Sequence, residues 1–154
     1  LLICPVIVAD YNKRNVPEHI VLVKDSKLLA KLTPEVAEGF NSSSVVQSEK
    51  IYERCENEII SGVEIANKVF LKTLKKDGYV FTFDVDKLNN KFDKPSLILL
   101  GKQDNFVGYK DSWNILDNFP RATFAILDRA GHSLQIEQEE LFNSLVKEWL
   151  VRVN

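Results

Sequence analysis

The sequence predicts an α/β fold: three parallel strands flanked by helices, with a long, mostly helical insertion after the first strand. Three observations carry this reading. A continuous Leu/Ile/Val run, Leu1 to Val8, opens the chain; two shorter apolar runs, Ser96–Leu100 and Thr123–Leu127, come late; and amphipathic helical patterns separate and follow the late pair. Strands alternating with helices require parallel pairing through right-handed crossovers.

Taken in order, Leu1 to Val8 reads as a strand buried on both faces. The stretch 10–93 reads as the insertion: Pro17 and Pro34 break its first part, Ser42 to Ser44 form a polar link, and helical patterns follow near Val45 to Ile60 and Val63 to Lys75. Gly78 supplies a helix stop, and Tyr79 to Phe83 alternates like a short extended segment. The chain thus divides into a core strand (1–9), a helical insertion (10–93) and a C-terminal part of the core (94–154). The second strand is introduced by Pro95 and closed by Gly101. A helix near Asp111 to Leu116, with Trp113 and Leu116 facing inward, precedes Pro120, which stops it. In the terminal helix Leu141, Phe142, Leu145, Val146, Trp149 and Leu150 repeat at helical spacing, with Glu137 to Glu140 favouring its positive end.

Composition narrows the function classes. The chain has 154 residues, 45% hydrophobic and 27% charged, which suits one globular domain. Its net charge of −2 is spread among interspersed acids and bases, so neither nucleic acid nor an anionic membrane is an expected partner. The longest apolar run, Leu1 to Ala9, falls far short of the roughly 20 residues that span a bilayer. Cys4 and Cys55 stand without a CxxC motif or a Cys/His cluster, as expected of two ordinary thiols in a cytoplasmic protein with no metal or cofactor. The absence of methionine, and an opening inside a strand pattern, predict a fragment or a processed chain.

Two segments carry the chemistry. Gly101-Lys102-Gln103-Asp104 follows the second strand, and Asp128-Arg129-Ala130-Gly131-His132 follows the third. Each puts a polar side chain just beyond the carboxyl end of a parallel strand, where open α/β sheets bind ligands. A weakly nucleophilic hydroxyl needs a histidine to take its proton, and that histidine needs a carboxylate to fix its tautomer.

Together the two segments resemble the end of an α/β-hydrolase, with its G-x-x-D turn after the penultimate core strand and its G-H turn after the last. The resemblance implies that Asp104 is the acid and His132 the base of a catalytic triad. It also implies that the helical insertion is a cap over the active site. Asp10, at the end of the first run, is the alternative acid, because some members of the superfamily take it from the earlier strand. Asp128 lies too close to the histidine and is expected in a loop; His19 is expected to be exposed, and Asp84 and Asp86 to form a local turn rather than a calcium site.

No serine stands in G-x-S-x-G, so no nucleophile is assigned within this chain, and alone it is expected to be inactive. The resemblance implies a parent enzyme that cleaves an ester, amide or similar bond of a small-molecule substrate in an apolar pocket. An aspartate nucleophile, as in epoxide hydrolases and dehalogenases, would use the same histidine and a similar acid, so that alternative stays open. So does a non-catalytic binding module of hydrolase shape. The open edge of the first strand is expected to pair with a second copy or with the missing half of the sheet.

Overall fold

The computed structural model describes residues 1–77, 83, 84 and 86–154. Three parallel strands lie in the order β1 (Leu2–Ile3), β2 (Ser96–Gly101) and β3 (Ala122–Leu127). Leu2 is in register with Ile98, and Ser96 to Gly101 run beside Ala122 to Leu127. The strand predicted at Ser96 is therefore central, and Leu97, Ile98, Leu99 and Leu100 are fully buried. Burying each contributes about 1.5–3 kcal/mol.

Period-two alternation sends Leu97 and Leu99 to one face, where they pack with Cys4, Val107, Leu127, Ala130 and Leu134. Helix α7 (Glu139–Val153) covers this cluster with Phe142, Leu145, Val146 and Trp149. The covering stripe is narrower than expected, since Leu141 and Leu150 are exposed. Polar tips anchor the helix: Trp149 Nε1–H donates to the Pro95 carbonyl at 3.0 Å, and the Arg152 guanidinium donates to Thr123 Oγ1 at 2.8 Å.

The opening run is a strand for only two residues, not eight. Cys4 donates its N–H to the Leu99 carbonyl at 2.9 Å but takes a left-handed φ of 40°, and Pro5 has no N–H to continue the ladder. The carbonyls of Val8 and Ala9 turn instead to the Arg14 guanidinium, which also donates to the Phe106 carbonyl.

Among the described residues between β1 and β2 lie several helices, with shifted boundaries. Asp25 caps α1 (Ser26–Lys31), Thr33 caps α2 (Pro34–Ser43) and Ser48 caps α3 (Glu49–Cys55). Pro34 therefore opens a helix instead of breaking one, because at the first helical position its missing N–H costs nothing. Ser42 and Ser43 end α2 rather than link, both donating to the Gly39 carbonyl. A π-helical turn, Glu56–Ile60, joins α3 to α4 (Ser61–Ile65), and α5 (Lys68–Asp77) follows.

Val45 to Gln47, expected in a helix, lie outside any helix and are buried. Val46 bridges Val23, and the Val45 carbonyl accepts from Leu22 and Val23. These β-branched residues sit against Leu28, Phe40, Ile51 and Ile136 in a second small core. Helix α6 (Leu134–Glu137) joins the two cores: Leu134 enters the first and Ile136 the second. The helix stop at Gly78 and the extended segment Tyr79 to Phe83 fall outside the described residues, Phe83 excepted. No helix of the described residues is long and apolar enough to cross a membrane.

The element after β2 is a 3₁₀ helix, Asp111–Asn118, which buries Ser112 and Ile115. Three residues per turn put 112 and 115 on one face, so Trp113 is left 53% exposed, its ring 4.5 Å from that of Phe124.

Gly101 lets the two strand-end turns meet. A Cβ there would collide with the Gly131 carbonyl and stand 2.6 Å from that of Ala130. Gly101→Ala is expected to destabilise the protein by about 1–3 kcal/mol through overpacking. An unchanged urea midpoint would show that the turns yield freely.

Candidate active site

Asp104 lies in the turn that leaves β2 and is completely buried. Its Oδ1 accepts the N–H groups of Phe106 at 2.8 Å and Val107 at 3.1 Å, a local turn that aspartate forms readily. Its Oδ2 meets His132 Nδ1 at 2.9 Å. Burial pushes the Asp104 carboxyl up, but the bonds from His132 and from the Val107 and Phe106 N–H groups outweigh it and hold the group below the usual aspartate value. An ionised Asp104 can only accept, so Nδ1 carries the hydrogen and Nε2 presents a lone pair.

His132 leaves β3 through a turn in which Arg129 adopts a φ of 55°. Gln103, which the sequence reading passed over, holds this turn beside the acid turn. Its N–H donates to the Ala130 carbonyl at 2.9 Å, its Oε1 accepts from Ala130 N–H at 3.2 Å, and its Nε2 donates to Asp128 at 2.8 Å. Asp128 is thus an exposed loop residue, as expected.

Glu137 does more than favour a helix end. It is buried; Oε1 accepts Val45 N–H at 2.6 Å and Val46 N–H at 3.2 Å, and Oε2 accepts Gly131 N–H at 2.6 Å. One carboxylate therefore joins the helical segment to the residue preceding His132. Its place at the end of a four-residue helix, five positions after the histidine, was the only local signal.

Other candidates go elsewhere. Asp10 is exposed, caps a 3₁₀ turn through Asn12 N–H and lies 3.6 Å from Lys13 Nζ, so among the described residues it is Asp104 and not Asp10 that meets His132. His19 is exposed, with Nε2 2.7 Å from the Asn41 carbonyl oxygen. Asp84 accepts Asp86 N–H in a local turn. Ser133 follows the histidine with Gly131 two positions before it, but Gln135 stands where a second glycine would be, and its carbonyl accepts from α6.

Cys4 was read as an ordinary thiol, yet its Sγ, an Asp104 oxygen and a His132 nitrogen lie within 4.8 Å of one another. Burial, then the Asp104 charge, raises the thiol far above its usual value, so it stays protonated and is no nucleophile. Both Asp104 oxygens are already engaged, which fits a hydrogen-bonded dyad better than a metal ligand set. Cys55 is raised to about 11, by burial first and then by Glu137.

A cavity of about 460 Å³ opens beside His132. Phe40 of α2, Cys55 of α3, Ile59 and Ile60 of the π turn and Phe106 of the acid turn line it, and the Phe106 and His132 rings are 5.6 Å apart. The helical segment thus walls a largely apolar space over the strand ends, in the size range of small-molecule sites.

Parallel strands with an acid and a histidine at neighbouring carboxyl ends define a class, and known proteins agree with it: the chain has part of the α/β-hydrolase fold and is similar in sequence to hydrolases of that superfamily. No family model matches the sequence. Among solved structures, an α/β-superfamily hydrolase from Oenococcus oeni is 29% identical with a TM-score of 0.84, the match covering 99% of this chain and 57% of that one. A thermophilic esterase, at 20% identity and a TM-score of 0.55, shares the fold. The 2-hydroxy-6-oxononadienedioate/2-hydroxy-6-oxononatrienedioate hydrolases of Dechloromonas aromatica and Burkholderia vietnamiensis are 30% and 29% identical over 112 and 110 residues. These matches cover 72% and 71% of this chain, which spans 37% of either relative's length.

Proposed function

We propose that this chain is the acid- and base-bearing half of a hydrolase that cleaves a small ester, amide or similar bond through a Ser–His–Asp triad. The 2.9 Å bond between Asp104 Oδ2 and His132 Nδ1 carries the reading, because it leaves Nε2 unbonded among the described residues, on a side chain that lines the apolar cavity. His132 Nε2 takes the proton of a serine hydroxyl as that oxygen attacks the substrate, then delivers it to the leaving group. Asp104 holds the tautomer and stabilises the imidazolium. The serine and the oxyanion donors belong to a segment preceding Leu1, whose strands also cover the free edge of β1; a second copy of the chain is the other candidate for that edge. Segment 10–93 acts as the cap, and its apolar walls exclude water from the reacting bond.

The substrates named for the dienedioate relatives are dicarboxylates, whereas among the described residues no lysine or arginine lines this cavity. That difference favours a less charged substrate. A serine-directed fluorophosphonate probe tests the reading. The full-length protein should be labelled, labelling should vanish in its His132→Ala variant, and the isolated chain should not react. Hydrolysis without labelling would replace serine by an aspartate nucleophile. No labelling and no hydrolysis would reduce the protein to a binding module.

A further inference from the structure

The cavity wall contributed by α2 is unusual in charge and in bulk. Its ionisable lining groups are Glu35, Glu137, His132 and the Cys55 thiol, two of them carboxylates, and among the described residues no lysine or arginine stands opposite. Glu137 is spent on three backbone N–H groups. Glu35, in the first turn of α2, makes no ion pair among the described residues. Its charge also meets the positive end of that helix, which is then no receptor for an incoming anion.

Gly39 lies on the same helix and lines the same cavity. Glycine inside a helix is destabilising relative to alanine. Nothing in the backbone requires it: its φ is not positive, and an added Cβ would meet no atom within 4 Å. What glycine provides here is room.

We propose that α2 selects the substrate: the cavity takes an uncharged, apolar arm running past Gly39, and Glu35 turns away an arm that ends in a carboxylate. The proposal rests on the hydrolase reading and names its substrate class. A carboxylate entering this space would give up part of its hydration beside the like charge of the exposed Glu35, and among the described residues the lining offers no lysine or arginine to pair with it.

The test uses the full-length protein and three p-nitrophenyl esters: acetate, hexanoate and the adipate monoester, which has the six-carbon arm ending in a carboxylate. The kcat/KM for hexanoate should exceed that for the adipate monoester at least about tenfold, and Glu35→Lys should narrow this ratio about tenfold. Gly39→Leu, which suits a helix better than glycine does, should lower the hexanoate-to-acetate ratio by about tenfold, with the melting temperature confirming the fold. Equal turnover of hexanoate and adipate esters, or a Gly39→Leu variant that slows acetate and hexanoate alike, would overturn the proposal. If no ester is cleaved, the hydrolase reading fails. The cavity is then read by ligand-observed NMR, in which 1-hexanol should bind, adipate should not, and Gly39→Leu should weaken hexanol. Adipate binding as well as hexanol would sink the inference.

Discussion

Asp104→Asn in the full-length protein is expected to lower kcat by about 10⁴-fold with the fold intact, the scale seen when a serine-protease triad loses its acid to asparagine. The reason lies in the donors around the carboxylate. The N–H groups of Phe106 and Val107 both point at Oδ1, so an asparagine must place its carbonyl oxygen there and its NH₂ toward His132. A donor then faces Nδ1, which gives up its hydrogen, and the hydrogen moves to Nε2. Nε2 can no longer accept a proton from the nucleophile. A loss below tenfold would mean that another carboxylate supports the histidine, and Asp10 would return as a candidate.

The same variant carries a pH signature. Because Asp104 sits below its ordinary value in the folded protein, the stability it contributes is fully present above the unfolded aspartate value of about 3.9 and is lost as the pH falls through the lower folded value. The urea-measured difference between wild type and Asp104→Asn should therefore stay constant from about pH 7 to 5 and shrink below about pH 4.

Glu137→Ala is expected to cost about 3–9 kcal/mol, a large part of the stability of an ordinary domain. It strands three buried N–H groups at once, those of Val45, Val46 and Gly131, at about 1–3 kcal/mol each. Water reaching in from the adjoining cavity would bring the loss toward the lower figure. Glu137→Gln should fall between, since its amide keeps one acceptor oxygen but turns a donor toward a donor. Urea midpoints give the magnitude, and amide exchange gives the place: protection at Val45, Val46 and Gly131 should fall together. A midpoint shift worth under about 1 kcal/mol, with those amides still protected, would refute the clamp.

The parts of this fold that were legible in the sequence are those with local causes. Ser96–Leu100 is a strand-length segment whose last four residues are all apolar, set between Pro95 and Gly101. The pairing of Asp104 with His132 was implied by the resemblance of their two turns to those of α/β-hydrolases, and the structure supplies the physical cause: β2 and β3 are neighbours in register, so the turns at their carboxyl ends are neighbours too. The helix of Phe142, Leu145, Val146 and Trp149 followed from spacing alone, since side chains three and four apart share a face whatever that face meets.

What tertiary structure alone decided are the places where a residue's surroundings come from far along the chain. Cys4 ends β1 because its backbone turns to left-handed φ against the acid turn about 100 residues later, so apolar Pro5 to Val8 are not strand. Val45 to Gln47 look helical beside Ile51, yet they are drawn into pairing with Val23 by burial against Phe40 and Ile136. Glu137 reads as a surface acid at a helix start, and only the approach of Val45 and Val46, over 90 positions earlier, makes it a buried clamp. Composition and periodicity are properties of neighbours in sequence, so they determine the two late strands and the terminal helix. Unpaired N–H groups, cavity walls and charges without partners are properties of neighbours in space, and these belong to the folded chain alone.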